Sequence, residues 1–306
     1  MEFRELAAFR EVARLSSFSR AANRLGYVQS TVSAQIQSLE RDLGVQLFDR
    51  LPRTVALTPA GEALLPYADR LVKQLAEARL AVAGSGAGAG EPVGTVVVSA
   101  PESLLTYRLP PVLNRIHAQH PGIVIDLRPT PIGRFRGDTR RSVATGEVDV
   151  AIVLDTPLDI RGFASEILTP EPISVIAPPG HPLAAEHHVR PEDLNDEHLL
   201  LPEAPDFGCA YRGQFERQLA DAHVVTNGAL EFASIETVKQ CVVSGMGVSV
   251  VPSIAVEADL TAGRLTELSW APDFDVHTQV VWNARRLIGS AVGAFLQATR
   301  SVFDST

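Results

Sequence analysis

Apolar residues at Phe3, Leu6, Phe9, Val12 and Ala13 recur every three to four positions, the spacing that gathers them on one face of a helix ending near Leu15. Ser19 is placed to N-cap a short second helix, SRAANRL. Its Ala21 and Ala22 permit close packing, and Gly26 suits a left-handed C-terminal turn. A third helix is expected between Tyr27 and Gly44, with Ser30 as N-cap and Gly44 as stop. Val32, Ile36, Leu39 and Leu43 share its inner face, while Ser30, Ser33, Ala34, Gln37 and Arg41 share its outer one. Short hydroxyls and amides on such a face can reach phosphates and base edges in a major groove, and the tight pair of helices reads as a helix-turn-helix. Any amphipathic helix has a polar face, so the next element matters. VQLFDR and TVAL, separated by Leu51, Pro52 and Arg53, predict a β-hairpin wing with Arg50 and Arg53 near its tip, where an Arg can clamp a phosphate or enter the minor groove.

Thr58 and Pro59 then form an N-cap and first-position pair. From there Leu64, Ala68, Leu71, Leu75, Ala78 and Val82 alternate in steps of four and three, a coiled-coil seam. A helix of ~24 residues at 1.5 Å each spans about 36 Å, comparable with one turn of B-DNA, so a dimer along it could offer two recognition helices to neighbouring half-sites. The Gly-rich stretch GSGAGAG, residues 84–90, opens a flexible linker to residue 92 rather than a phosphate loop, because no Gly-Lys-Ser/Thr follows it.

Beyond Val93 strand-like and helix-like runs alternate: TVVVSA, LLTYRLPPVLNRIHAQ, IVIDLRP, a helix through RRSVATG, and VDVAIVL. That is a βαβαβ series and predicts a parallel sheet. A second series follows, with ISVIAPP, HLLLPEA, a helix near YRGQFERQLADA, the strand VVTNGALE, the helix SIETVKQCVVSG and the strand GVSVVP. TQVVWNA and a long amphipathic helix, IGSAVGAFLQATRSVF, close the chain.

The 306 residues carry a net charge of −9, which taken whole argues against a polyanionic partner. Divided at Thr58, the average dissolves. Residues 1–58 hold eight Arg, no Lys and six acids, for +2, and the remainder holds 19 basic and 30 acidic groups, for −11. A +2 head binds DNA well only when several heads act together. Two cysteines, Cys209 and Cys241, are too few for a disulfide framework or a four-ligand metal site and suit a reducing cytoplasm. With no apolar signal core in MEFRELAAFREVARL and no membrane-spanning run, a soluble cytoplasmic protein is expected.

FSRAANRL, QSTVSAQIQSLERDLGVQLFDR and VALTPAGEALL, in this order and at this distance from the N-terminus, resemble the LysR-type transcriptional regulators. YRLPPVLNRIHAQHPGI, GEVDVAIV, GHPL, SIETVKQCVVSGMGVSVVP and AGRL extend the resemblance over nearly the whole chain. It implies an α/β multi-domain protein: a winged helix-turn-helix (1–58), a dimerising linker helix (59–83), a flexible linker (84–92) and an effector domain (93–306). Two Rossmann-like lobes, similar to periplasmic binding proteins, are expected there, lobe I from 93–164 plus 269–306 and lobe II from 165–268. The family's DNA-facing positions fall on Arg20, Gln29, Ser30, Thr31, Ser33, Gln37, Arg50 and Arg53. Ala34 departs from the Arg or other long polar side chain of many members, which removes a possible base contact. The implied partners are double-stranded promoter DNA, a small-molecule effector, and further copies of the chain as a homodimer through the linker helix and a homotetramer, with no membrane.

In such a pair of lobes a small molecule sits where strands end and helices begin. The residues at those places are Pro101, Glu102, Ser103, Thr130 and Pro131 on lobe I, and Glu203, Phe207, Gly208, Cys209, Phe232 and Ser234 on lobe II. Each could equally serve as an ordinary cap or packing residue. Helix N-termini favour anions, so an organic anion is the expected effector, with Ser103 the best single donor. Cys209 leaves a redox-responsive regulator open, although it lies 32 residues from Cys241 and nothing nearby lowers a thiol pKa. GHPLAAEHHV reads as a solvated turn and loop rather than a metal site, no cofactor is implied, and GMGVS lacks the flanking glycines of a nucleophile elbow. With no catalytic constellation the chain is read as a non-enzyme. The alternatives are a two-lobed binding protein or enzyme, and an architectural DNA binder, which would need no acidic sensor.

Overall fold

The computed structural model describes residues 1–51, 54–84, 91–130, 135–202, 210–270 and 272–304. The chain forms two units, Met1–Gly90 and Glu91–Thr306.

In the first unit α1 (Phe3–Leu15), α2 (Phe18–Leu25) and α3 (Gln29–Leu43) precede the antiparallel hairpin of β1 (Phe48–Leu51) and β2 (Thr54–Leu57), and α4 (Pro59–Gly84) completes it. Leu6, Phe9, Val12, Ala21, Ala22, Val32, Ile36 and Leu39 close into one buried cluster, so the inner faces read from periodicity meet as expected, except Leu43, which is 40% exposed. Two caps differ from expectation. Ser17, not Ser19, caps α2, its hydroxyl accepting the Arg20 N–H at 3.3 Å, and α3 starts two residues early, with Val28 at its N-cap in place of Ser30. Gly26 and Gly44 adopt the left-handed turns predicted for them. The hairpin is fastened to the helices by Phe48, whose ring lies 5.3 Å from that of Phe9 and 5.8 Å from that of Phe18. The Glu40 carboxylate of α3 accepts the Leu47 N–H at 2.8 Å.

Thr58 caps α4, its hydroxyl accepting the Gly61 N–H at 3.1 Å while donating to the Gln46 carbonyl at 2.7 Å. Leu64 and Ala68 pack on the head's core, and farther along the same seam Leu71 is 42% exposed, Leu75 half-buried and Ala78 exposed.

Lobe I of the second unit is built on a five-stranded sheet in the order β4 (Ile123–Pro129), β3 (Gly94–Ala100), β5 (Val150–Asp155), β12 (His277–Asn283), β6 (Phe163–Pro170). β3 is parallel to β4 and β5, and β12 is antiparallel to both its neighbours. Alternation along the strands divides two cores. Val96, Val98, Ile152 and Leu154 join a cluster with α6 (Leu109–Gln119) and α10 (Ser290–Phe303), while Val97, Ala151, Val153 and Val281 meet Phe135 and α7 (Gly137–Thr145). A sheet covered on both faces explains why every residue of β5 is buried. The single helix expected from LLTYRLPPVLNRIHAQ is two, α5 (Glu102–Tyr107) and α6, because Pro110 lacks the N–H that would carry the first helix onward.

Lobe II repeats this plan. β9 (Ala229–Phe232) is parallel to β8 (Leu199–Pro202), and β10 (Ser249–Pro252), β7 (Ile173–Ala177) and β11 (Thr266–Glu267) form an antiparallel trio. A parallel bridge between Leu199 and Val248 joins the two sets, giving the order β9, β8, β10, β7, β11. α8 (Ala210–Asp221) covers one face and α9 (Ile235–Val243) the other. The strand expected from VVTNGALE is confined to β9, since Gly228 with φ of 123° breaks the run.

The expected lobe boundary at residues 164 and 165 is corrected: β6 pairs along its length with β12, so the lobe I sheet continues through Pro170. β6 is a half-buried edge strand with no clean alternation, which hides it from a pattern reading. The chain crosses between lobes twice, between β6 and β7 and between β11 and β12. The crossings are pinned together where the Glu171 N–H donates to the Val276 carbonyl at 2.9 Å.

Candidate nucleic-acid interface and effector cleft

On the head, burial of Val32, Ile36 and Leu39 turns the opposite face of α3 outward. Gln29, Ser30 and Gln37 are exposed and Thr31 and Ser33 half-exposed. No side chain among Ser30, Thr31, Ser33 and Gln37 is committed to a hydrogen bond within the described residues. The Ser19 hydroxyl donates to Gln29 Oε1 at 2.7 Å, which ties α2 to α3 and leaves the Gln29 amide N–H groups outward. Arg20 is exposed, its guanidinium held by the Leu15 carbonyl. Arg50 lies on β1 opposite Val55, and Arg53 lies outside the described residues. The head's basic charge is unevenly available, for Glu11 takes Arg10 at 2.8 Å and Arg24 at 3.5 Å. Arg20 and Arg41 stay exposed, their guanidinium groups bonded to the Leu15 and Gln37 carbonyls.

In the second unit Pro101 is the buried N-cap of α5, and Ser103 is 4% exposed on its first turn. Thr130 follows β4, its N–H donating to the Ala100 carbonyl at 3.0 Å and its hydroxyl 3.3 Å from that of Thr139. On lobe II Phe232 closes β9 against the core and Ser234 stands at the N-cap of α9. Pro131, Glu203, Phe207, Gly208 and Cys209 lie outside the described residues. The lobe I and lobe II groups meet through Glu102: the Ser234 hydroxyl donates to its Oε1 at 3.0 Å and the Ile235 N–H to its Oε2 at 3.2 Å. Sequence reading names Glu102 only as a residue after a strand. Its partner helix is 132 residues on, beyond any local signal.

Sequence reading misses a second cross-lobe contact. The Tyr107 hydroxyl, at the far end of α5, bonds Glu236 and accepts from Lys239 Nζ at 3.3 Å. Lys239 is buried and paired to Asp259 at 2.8 Å. Burial pushes the Asp259 carboxyl up, but the bonds from Lys239 and Arg264 outweigh it and hold the group below the usual carboxylate range. Burial likewise raises the Tyr107 hydroxyl pKa, helped by its bond to Glu236. An open polar recess of about 300 Å³, between α8 and the returning crossover, is lined by Gln214, Arg217, Asp273 and neighbours and by none of the expected effector residues that are among the described residues. Among the described residues no group of three or more His, Cys, Asp or Glu is placed to hold a metal ion, and no helix is long and apolar enough to cross a membrane.

A family model described as the bacterial regulatory helix-turn-helix protein, lysR family, matches residues 3–62, and one described as the LysR substrate binding domain matches residues 89–304. The chain belongs to the LysR family. This LysR-family regulator is 34% identical to an uncharacterized HTH-type transcriptional regulator, YwqM, of Bacillus subtilis, over 99% of this chain and 100% of that one. It is 35% identical to a probable hydrogen peroxide-inducible genes activator of Mycobacterium avium over 85% of this chain and 80% of the relative. Among solved structures, a full-length OxyR variant from Pseudomonas aeruginosa superposes with a TM-score of 0.72 at 26% identity, covering 99% of this chain and 94% of its own. CbnR complexed with its target DNA shares the fold at a TM-score of 0.67 and 21% identity, covering 98% and 99%.

Proposed function

We propose that this LysR-family transcription regulator reads its operator with Arg20, Gln29, Ser30, Thr31, Ser33, Gln37, Arg50 and Arg53. Its effector, an organic anion, binds between the lobes near Pro101, Ser103, Thr130, Phe232 and Ser234, with Glu203, Phe207 and Cys209 completing the wall. The observation that carries the DNA-binding reading is the outer face of α3, where among the described residues the Ser30, Thr31, Ser33 and Gln37 side chains are uncommitted while Val32, Ile36 and Leu39 opposite are buried. Copies of the chain pair along Leu71, Leu75 and Ala78 of α4, and pairs associate into tetramers in the cytoplasm. Effector binding changes the lobes, and through them the spacing of the heads, to the extent that it favours one state over another. The protein performs no catalysis.

Duplexes selected from a random pool supply the operator, and affinity is then measured against salt. Gln37→Ala costs about 1–3 kcal/mol on the selected site, relaxes specificity and leaves the salt slope unchanged, whereas Arg20→Ala weakens all sequences alike and lowers the slope by about 1. Wild-type affinity and specificity in both variants would remove α3 from the interface.

A further inference from the structure

The first-turn N–H groups of α9 have no partners within their own helix and need acceptors. Ser234 occupies the N-cap, yet its hydroxyl makes no cap bond to α9 and donates to Glu102 instead. The acceptor for Ile235 N–H is therefore a carboxylate from the other lobe. Among the described residues no Lys, Arg or His pairs with Glu102, so the positive end of α9 is its electrostatic partner. α5 thus holds α9 at two points, through Glu102 at its start and Tyr107 at its end. Tyr107 is also anchored by packing, its ring lying against the lobe II core. Glu102 is held by charge and hydrogen bonds alone, and those a dissolved carboxylate can reproduce.

We propose that Glu102 is a built-in latch: its carboxylate joins the lobes by occupying the N-terminus of α9, and a carboxylate effector that docks there has to displace it. The inference rests on the reading of the space between the lobes as the effector site. Displacement exchanges a tether belonging to lobe I for a diffusible group and leaves α5 held to α9 through Tyr107 at its other end. The effector's affinity is then set against an intramolecular competitor, and signalling begins when that competitor is removed.

Amide hydrogen exchange over Ile235–Val238 of the full-length protein tests this, in chloride and in acetate at equal ionic strength. Glu102→Ala exchanges about tenfold faster than wild type in chloride, a charged cap being worth roughly 1.4 kcal/mol. Acetate slows the variant back towards wild type and leaves wild type unchanged. Glu102→Gln, which keeps the shape and loses the charge, falls between. Wild-type rates in Glu102→Ala, no restoration by acetate, or equal slowing of wild type by acetate would each overturn the latch. If the wild type's operator binding answers to no carboxylate metabolite, the effector reading fails by itself and these exchange rates stand.

Discussion

Glu171 has no exposed side-chain surface, and it stands where the chain first passes between lobes. Arg108 reaches it through two bonds, of 3.0 and 2.7 Å, and Thr278 of β12 through a third of 2.8 Å. A buried pair of this kind adds little against an apolar replacement, but losing one partner strands a charge at a cost of about 3–5 kcal/mol. Glu171→Ala is therefore expected to lower the melting temperature of the full chain by about 10 °C, at roughly 2–4 °C per kcal/mol for a unit of this size. A calorimetric scan in which the variant melts with wild type would show Arg108 finding another partner. Charge arithmetic on the sequence shows that Arg108 and Glu171 exist, but not that a loop 63 residues on turns back to the start of α6. Nearer pairs are little more legible: Ser17 and Ser19 are both plausible caps, and only the demand of Gln29 for a donor separates their roles.

At the scale of elements, Gly61 decides how α4 meets the wing. A Cβ there would lie 2.2 Å from the Leu47 carbonyl oxygen and 2.8 Å from Leu57 Cδ2. Alanine usually strengthens a helix by about 1 kcal/mol over glycine, yet here overpacking against backbone costs about 1–3 kcal/mol and reverses the sign. Gly61→Ala is expected to speed exchange of the β1 and β2 amides and weaken operator binding; a variant more stable than wild type would refute the contact. Elements with strong periodicity, α1, α3, α4 and the fully buried strands, are legible because one face or both must be apolar. β6 and the break between α5 and α6 are not, since an edge strand answers to its neighbour and a proline break is compatible with one kinked helix.

For the molecule as a whole, the division of charge and the twofold series of strands were both legible, and the matching strand orders of the lobes give that series its meaning. What the series could not give is which strand belongs to which lobe, because β12 is supplied from the far end of the chain. The seam of α4 belongs to this scale, since its Leu71 and Ala78 are exposed within one copy. Leu71→Asp is expected to shift sedimentation of the full chain from dimer or tetramer to monomer and to reduce operator affinity with it; an unchanged sedimentation coefficient would place the pairing elsewhere.

The two crossings also fix an order of events at the ribosome. Lobe II has all its strands once Glu267 has been made, whereas the lobe I sheet still lacks β12, which must lie between β5 and β6. Until residue 283 emerges, β5 has an unpaired edge, and all six of its residues are buried in the finished protein. The part of the body synthesised first is thus completed last, and a chain cut short before His277 would carry a finished lobe II beside an open, aggregation-prone strand.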